Sequence, residues 1–309
     1  MQTLKEVPLT DIVLERIFPT RFCGDARQLQ SSIQTYGILH PPRLYGNDNT
    51  LLVLDGYERL KVAQELGLQS LWCHVYDREH LTAGNAFLLC LELNRHSRNF
   101  NLVEKAQLLQ TAHKVFTGTT IPKAFWVLVE VTQNIRAMHQ LQDLLKLPQT
   151  VQKYAVNNST PLSTILHFLR FKPDEIDKVA SQLFILPINQ NKLAEIVTML
   201  LDIAKREDKT VYAVLEEILP ELELEFSPLQ KEQKLRQVLQ KRRNPHYEQR
   251  LEEFEGRVRK LKFHHNTKVT PAPFFEDDYV EVTTKIRSEE DVQQLIDSLS
   301  SGSWTELLK

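Results

Sequence analysis

The residues with the clearest chemical potential are Asp55-Gly56-Tyr57-Glu58-Arg59. They stand between an apolar run, Leu51-Leu52-Val53-Leu54, and a stretch where Leu60, Ala63 and Leu66 recur at helical spacing. The run has the length of a buried strand, and Gly67 stands where a left-handed helix cap belongs. A strand that turns through glycine into a helix aims free backbone N–H groups and the positive end of the helix dipole at one spot. That geometry suits a phosphate or another anion. Arg59, in the first helical turn, supplies a charged fork for the same oxygens. Asp55 and Glu58 are the carboxylates close to it, and Glu58 is the candidate catalytic base. Taken alone, the glycine also reads as a plain tight turn beside a solvated arginine.

The elements that must position this turn follow from periodicity. Val7-Pro8-Leu9 and Ile12-Val13-Leu14 read as short extended segments, and Pro19 keeps Phe18-Pro19-Thr20-Arg21 out of helix. A helix is expected from about Ala26 to Tyr36, closed by Gly37. Ile38 to Leu44 leads through the turn residues Gly46-Asn47-Asp48-Asn49 into the Leu51–Leu54 strand, and Leu71–Val75 is a further strand. An apolar helix from Ala83 to Glu92 precedes a polar, cationic turn, Asn94-Arg95-His96-Ser97-Arg98-Asn99. The next helix starts at Asn101, whose side chain can cap the first turn while Glu104 completes a box. This alternation is that of a compact α/β unit.

The order resembles the N-terminal domain of the ParB-like proteins. It has a proline-arginine loop, a helix ending in Tyr36-Gly37-Ile38-Leu39-His40-Pro41-Pro42, and a strand running into Asp55-Gly56-x-x-Arg59-Leu60. An Ala63-x-x-Leu66-Gly67 helix end and an asparagine turn before Asn101-x-x-Glu104-x-Ala106 complete it. The resemblance covers roughly residues 7–116. It implies a ParB/sulfiredoxin-like fold that holds a nucleotide, CTP in the partition members, with Mg as a possible companion. It carries nucleotide contacts over to Gly56, Arg59, Asn94 and Arg95 or Arg98, with Thr20 and Arg21 reaching in from the proline loop. Two departures bear on turnover: Tyr57 and Leu93 stand where the family often has acidic residues, so weak or absent triphosphatase activity is expected. Ser97 stands where the family has an arginine.

From Ile121 to about Leu219 every segment reads as helix, with apolar stripes at Leu141, Leu144 and Leu145 and at Leu162, Ile165, Leu166 and Leu169. Lys146-Leu147-Pro148 followed by Val151-Gln152 resembles the exit of the helix-turn-helix of ParB-like proteins, although Thr132 stands near the usual turn glycine. A plain helical bundle is the alternative. An acidic run, Glu216, Glu217, Glu221, Glu223 and Glu225 around Pro220, reads as a solvated boundary. Residues 231–262 then carry eleven Lys or Arg against five Glu. In that segment Lys231, Lys234, Arg236, Lys241, Arg242 and Arg243 are the candidate DNA contacts, through backbone phosphates. A strand is expected at Tyr279–Thr283 and a helix at Glu289–Leu299.

The expected architecture is α+β. A small ParB-like α/β domain occupies 1–116, an all-α domain 117–226, and a basic helical segment with a mixed strand-helix tail 227–309. The composition, 42% hydrophobic and 25% charged with net charge −2, is that of a globular protein without a globally basic coat. No apolar run approaches the roughly 20 residues of a membrane helix, and no signal-peptide pattern opens the chain, so a cytoplasmic location is expected. Cys23, Cys73 and Cys90 show no CxxC spacing, and His264-His265 lacks nearby companion ligands, so no metal site is expected. No Ser-His-Asp order, Walker loop or H-E-x-x-H pattern is present. Three functions compete. The first is a nucleotide-controlled, partition-type factor that contacts DNA, a protein partner or a second copy of itself. The others are a phosphotransferase or nuclease of the same fold, and a helical interaction module with a vestigial pocket.

Overall fold

The computed structural model describes residues 2–22, 27–47, 50–96, 98–222, 226–260 and 267–301. Cys23, the Ala26 helix start, Asp48-Asn49, Ser97, Glu223, Glu225, Leu261, Lys262, His264-His265 and the end of the tail lie outside them. The chain forms two units, Met1–Val197 and Thr198–Lys309.

The first unit opens on a mixed five-stranded sheet. Its strands are β1 (Gln2–Pro8), β2 (Ile12–Arg16), β3 (Arg43–Asn47), β4 (Thr50–Asp55) and β5 (Ser70–Asp77), in the spatial order β1-β5-β3-β4-β2. The helices between them are α1 (Arg27–Tyr36) and α2 (Tyr57–Glu65). Leu44, Leu51, Val53, Cys73 and Val75 from the sheet and Leu60 from α2 form one buried cluster. Leu60 is fully buried; truncating such a leucine to alanine costs about 2–5 kcal/mol. Gly67 ends α2 in the left-handed region (φ 72), and the Leu68 N–H closes back on the Ala63 carbonyl at 3.1 Å.

Gly46 and Asn47 are not turn residues. They belong to β3 and pair with Leu51 and Thr50 of β4. A Cβ on Gly46 would lie 1.9 Å from the Thr50 carbonyl oxygen, so here glycine serves close backbone approach rather than a bend.

α3 (Ala83–Arg95) and α4 (Leu102–Val115) follow. Asn94 and Arg95, expected in a turn, are the last turn of α3. The Asn94 side-chain amide donates to the Cys90 carbonyl one turn back at 2.9 Å, which lets a polar residue continue the helix. α4 begins as expected: Asn101 Oδ1 accepts from the Glu104 N–H at 2.9 Å, and Glu104 Oε2 accepts from the Asn101 N–H at 3.0 Å.

The helical succession then comprises α5 (Lys123–Val129), α6 (Ile135–Leu144), α7 (Gln149–Asn157), α8 (Leu162–Ile165, continued by a 3-10 turn to Arg170) and α9 (Pro173–Leu183). α10 (Gln190–Glu207) follows them. Between α5 and α6, Glu130 takes the left-handed conformation (φ 54) that sequence reasoning sought at Thr132. Phe18, Phe87 and Phe125 join the sheet domain to these helices, with ring centroids 4.8 and 6.0 Å apart.

The second unit contains α11 (Val211–Leu222), α12 (Pro228–Arg243), α13 (Pro245–Lys260), the hairpin β6 (Thr267–Pro271) and β7 (Val280–Thr284), and α14 (Glu289–Ser301). β6 was not anticipated, because Pro271 reads as a break; an edge position tolerates its missing N–H. The acidic residues Glu216, Glu217 and Glu221 are helical, with Pro220 inside α11. All three are exposed, and two of them are ion-paired: Glu217 with Lys209 at 2.8 Å and Arg242 at 2.5 Å, and Glu221 with Lys234 at 3.7 Å. Opposite charges drawn from α12 neutralise two of the three.

Candidate functional site

β4 delivers Asp55 at its end, and the chain turns through Gly56 (φ 91) directly into α2. That φ is open to glycine and strained for other residues. The Gly56 carbonyl accepts the first helical bond, from the Leu60 N–H at 3.1 Å, so the N–H groups of the opening turn have no acceptor within the helix.

A cleft of about 360 Å³ opens over this turn. Segments far apart in sequence line it, among them the loop with Phe18, Thr20 and Arg21, the turn Asp55–Arg59, and Asn94 at the end of α3 with Arg98 after it. Of the residues singled out from sequence, Thr20, Arg21, Gly56, Glu58, Arg59, Asn94 and Arg98 are thus brought together. Arg95 is exposed at the end of α3 and is not among the lining residues. Phe18, Leu29, Val53, Leu54 and Tyr57 give the cleft an apolar part.

The guanidiniums around the cleft are tied to carboxylates and carbonyls. Arg59 Nη2 donates to Asp55 Oδ2 at 2.9 Å, and its Nη1 donates to the His40 carbonyl. Arg43 shares the same Asp55 oxygen at 3.3 Å. Arg16 pairs with Glu58 and lies 4.4 Å above the Tyr57 ring. Arg98 donates to Glu104 Oε2 at 2.6 Å and to the Thr20 carbonyl. Glu104 Oε1 accepts the Phe22 N–H at 2.9 Å. The carboxylate that caps α4 therefore also anchors the proline loop and the cleft arginine.

Sequence reasoning missed Arg16, Arg43 and this second role of Glu104. Only the sheet register could have shown the first two: Arg43 lies opposite Asp55, and Arg16 opposite Val53. Two free thiols are buried in the same unit. Cys90 donates to the Leu54 carbonyl at 3.0 Å, and burial pushes its ionisation far up, with the Asp55 charge adding to the effect. Burial also raises Cys73 to about 11, against a smaller opposing pull from Arg59.

In the second unit, the six cations expected to meet DNA are mostly engaged with acids. Lys234 meets Glu221, Arg236 meets Glu232 at 3.8 Å, Lys241 meets Glu252 at 3.5 Å, and Arg243 meets Asp202 at 2.6 Å. Arg242 bridges Glu207 and Glu217, each at 2.5 Å. Its hydrogen bond is the main reason the Glu207 carboxyl is held at about 2. Lys231 has no ion pair among the described residues.

Two chemical fits follow from this geometry. The cleft volume falls in the range of small-ligand sites, roughly 300–1,000 Å³, and its arginines and helix start suit phosphate oxygens. Among the described residues no three His, Cys, Asp or Glu side chains cluster as metal ligands. A magnesium ion here would depend on the ligand's own phosphates.

No family model matches the chain, and no curated protein sequence matches it. Solved structures do. One is the C-terminally truncated chromosome-partitioning protein ParB from Caulobacter crescentus complexed with CTP-gamma-S. The likeness has 19% identity and a TM-score of 0.27, and covers 59% of this chain and 99% of that one. The same protein complexed to the centromeric parS site matches at 15% identity and a TM-score of 0.35, over 63% of this chain and 98% of that one. A pNOB8-like ParB N-domain matches at 16% identity and a TM-score of 0.36, over 64% of this chain and 87% of that one. The nucleotide analogue and the DNA in the Caulobacter complexes are ligands of that protein.

Proposed function

We propose that this chain is a ParB-like nucleotide-binding protein whose nucleotide state governs what its helical region contacts. The supporting observation is the meeting, at one strand-glycine-helix turn, of Arg59, Arg98, Arg21 and Asn94 from three separate segments. The phosphates take the opening turn of α2 and the arginine forks, and the apolar wall takes the base and ribose. Arg59 leaves Asp55, or shares it with Arg43, to meet the ligand. CTP is the first candidate, on the strength of the motif resemblance.

Turnover is slow or absent in this reading. Tyr57 and Leu93 carry no acid, and Glu58 is held by Arg16 rather than free to take a proton from water. A placed general base is commonly worth about two to four orders of magnitude.

For DNA, α6 is the favoured face. Its exposed Arg136 and His139 face solvent, whereas five of the six α12 cations already meet carboxylates. α5, the turn at Glu130 and α6 would then act as a divergent helix-turn-helix. A protein partner or second copy remains the alternative target of the same control.

Calorimetric titration with CTP, ATP and GTP tests the reading. Wild type should bind one of them, and Arg59→Ala should bind it about ten- to a hundredfold more weakly. Equal binding by wild type, Arg59→Ala and Gly56→Val would place the ligand elsewhere and sink the proposal.

A further inference from the structure

We infer that the second unit carries its own phosphate site, a cleft of about 450 Å³ at the corner between α12 and α13, which takes the phosphate group of a nucleotide or of a nucleic-acid strand. Arg206, Arg243 and Arg250 line it together with His246, Tyr247 and Phe275, and none of its lining residues is acidic. The N-terminal cleft differs in this respect, since Asp55 and Glu58 sit among its arginines.

Each arginine is placed by a separate device. Arg206, from α10, donates Nη1 to the Arg243 carbonyl at 2.5 Å and Nη2 to the Arg242 carbonyl, so it covers the carbonyl end of α12. Arg243 is steered by Asp202 at 2.6 Å. Arg250 has no carboxylate partner among the described residues. Its guanidinium instead lies 4.8 Å from the Phe275 ring centroid. Arg206 also meets Glu207 at 3.0 Å, so of the three it is Arg250 whose guanidinium is not committed to a carboxylate among the described residues, and an anion in the cleft would complete it.

The aromatic floor supplies an independent sign. Phe275 holds φ at 54°, a left-handed conformation that a bulky residue adopts only under constraint. The constraint sets its ring against Tyr247 at 5.8 Å and Phe254 at 5.9 Å, beneath Arg250. Backbone strain of this kind gathers at ligand clamps. The cleft is large enough for a small organic ligand, so a phosphate with a nucleoside attached fits its size and its half-aromatic wall.

Equilibrium dialysis of the full chain against radiolabelled pyrophosphate counts the sites. Wild type should hold two equivalents. Arg250→Glu should lose one of them, its affinity falling about ten- to a hundredfold, while Arg250→Lys retains it. Arg59→Ala should lose the other equivalent and keep this one. Full binding by Arg250→Glu overturns the inference whatever Arg59→Ala does; full binding by Arg59→Ala counts against the N-terminal site alone. In the Arg59→Ala background, displacement by AMP identifies a free nucleotide as the source. Displacement by an oligonucleotide without terminal phosphates identifies a strand, and displacement by neither rejects the assigned ligand class.

Discussion

Arg98 donates to Glu104 at 2.6 Å across the start of α4, and Glu104 is almost completely buried. One carboxylate thus serves a helix cap, the backbone of Phe22 and a cleft arginine. Removing it leaves a guanidinium and two N–H groups without their acceptor. Glu104→Ala should lower unfolding stability by about 3 kcal/mol, whereas Glu104→Gln, which keeps the cap acceptor, should cost less. Urea denaturation of both variants checks this, and equal losses would deny the cap and Phe22 hydrogen bonds any share.

Gly56→Ala should destabilise the chain by about 1–3 kcal/mol, because alanine at that positive φ is strained. The new methyl group would also stand 2.8 Å from Arg59 Nη2, and the guanidinium must swing aside. Denaturation curves combined with the nucleotide titration separate the two effects: Gly56→Ala with unchanged stability would mean that the turn can relax.

Acid should loosen the second unit late. Glu207 is held at about 2 against an ordinary 4.5, so the folded state binds this proton more weakly than the unfolded state does. Its contribution is complete above about pH 4.5 and is lost as the pH falls towards 2. Glu207→Gln should flatten the pH dependence of unfolding within that window and leave its shape near neutrality unchanged. An identical acid limb in both proteins would show that the Arg242 contact contributes nothing.

Cys73 and Cys90 should resist thiol reagents in the native protein. Both are buried and free, and both ionise well above their usual range, so the reactive thiolate is scarce at pH 8. Modification rates before and after adding urea test this; rapid labelling of either thiol in the folded chain would contradict it.

The strand-glycine-helix turn, the α4 capping box and the helical succession were legible in the sequence, because each rests on contacts a few residues apart. The partners of the cleft arginines were not. Arg43 reaches Asp55 only through antiparallel pairing, and Arg16 reaches Glu58 across 42 positions of chain. Spacing carries no trace of such pairs, and a count of surplus charge along 231–262 could not show that Glu207, Glu217 and Asp202 lie waiting for Arg242 and Arg243. β6 was invisible for a related reason: a short strand ending in proline is recognised only beside its partner.

Gly46 works as a key for strand phase. With the Thr50 oxygen 1.9 Å from where its Cβ would be, any side chain there must prise the hairpin apart or slide it. Sliding by one residue exchanges the two faces of a strand. Asp55 would then lose its place opposite Arg43. The charge pattern at the mouth of the cleft is therefore decided nine positions upstream, by a methyl group that is not there.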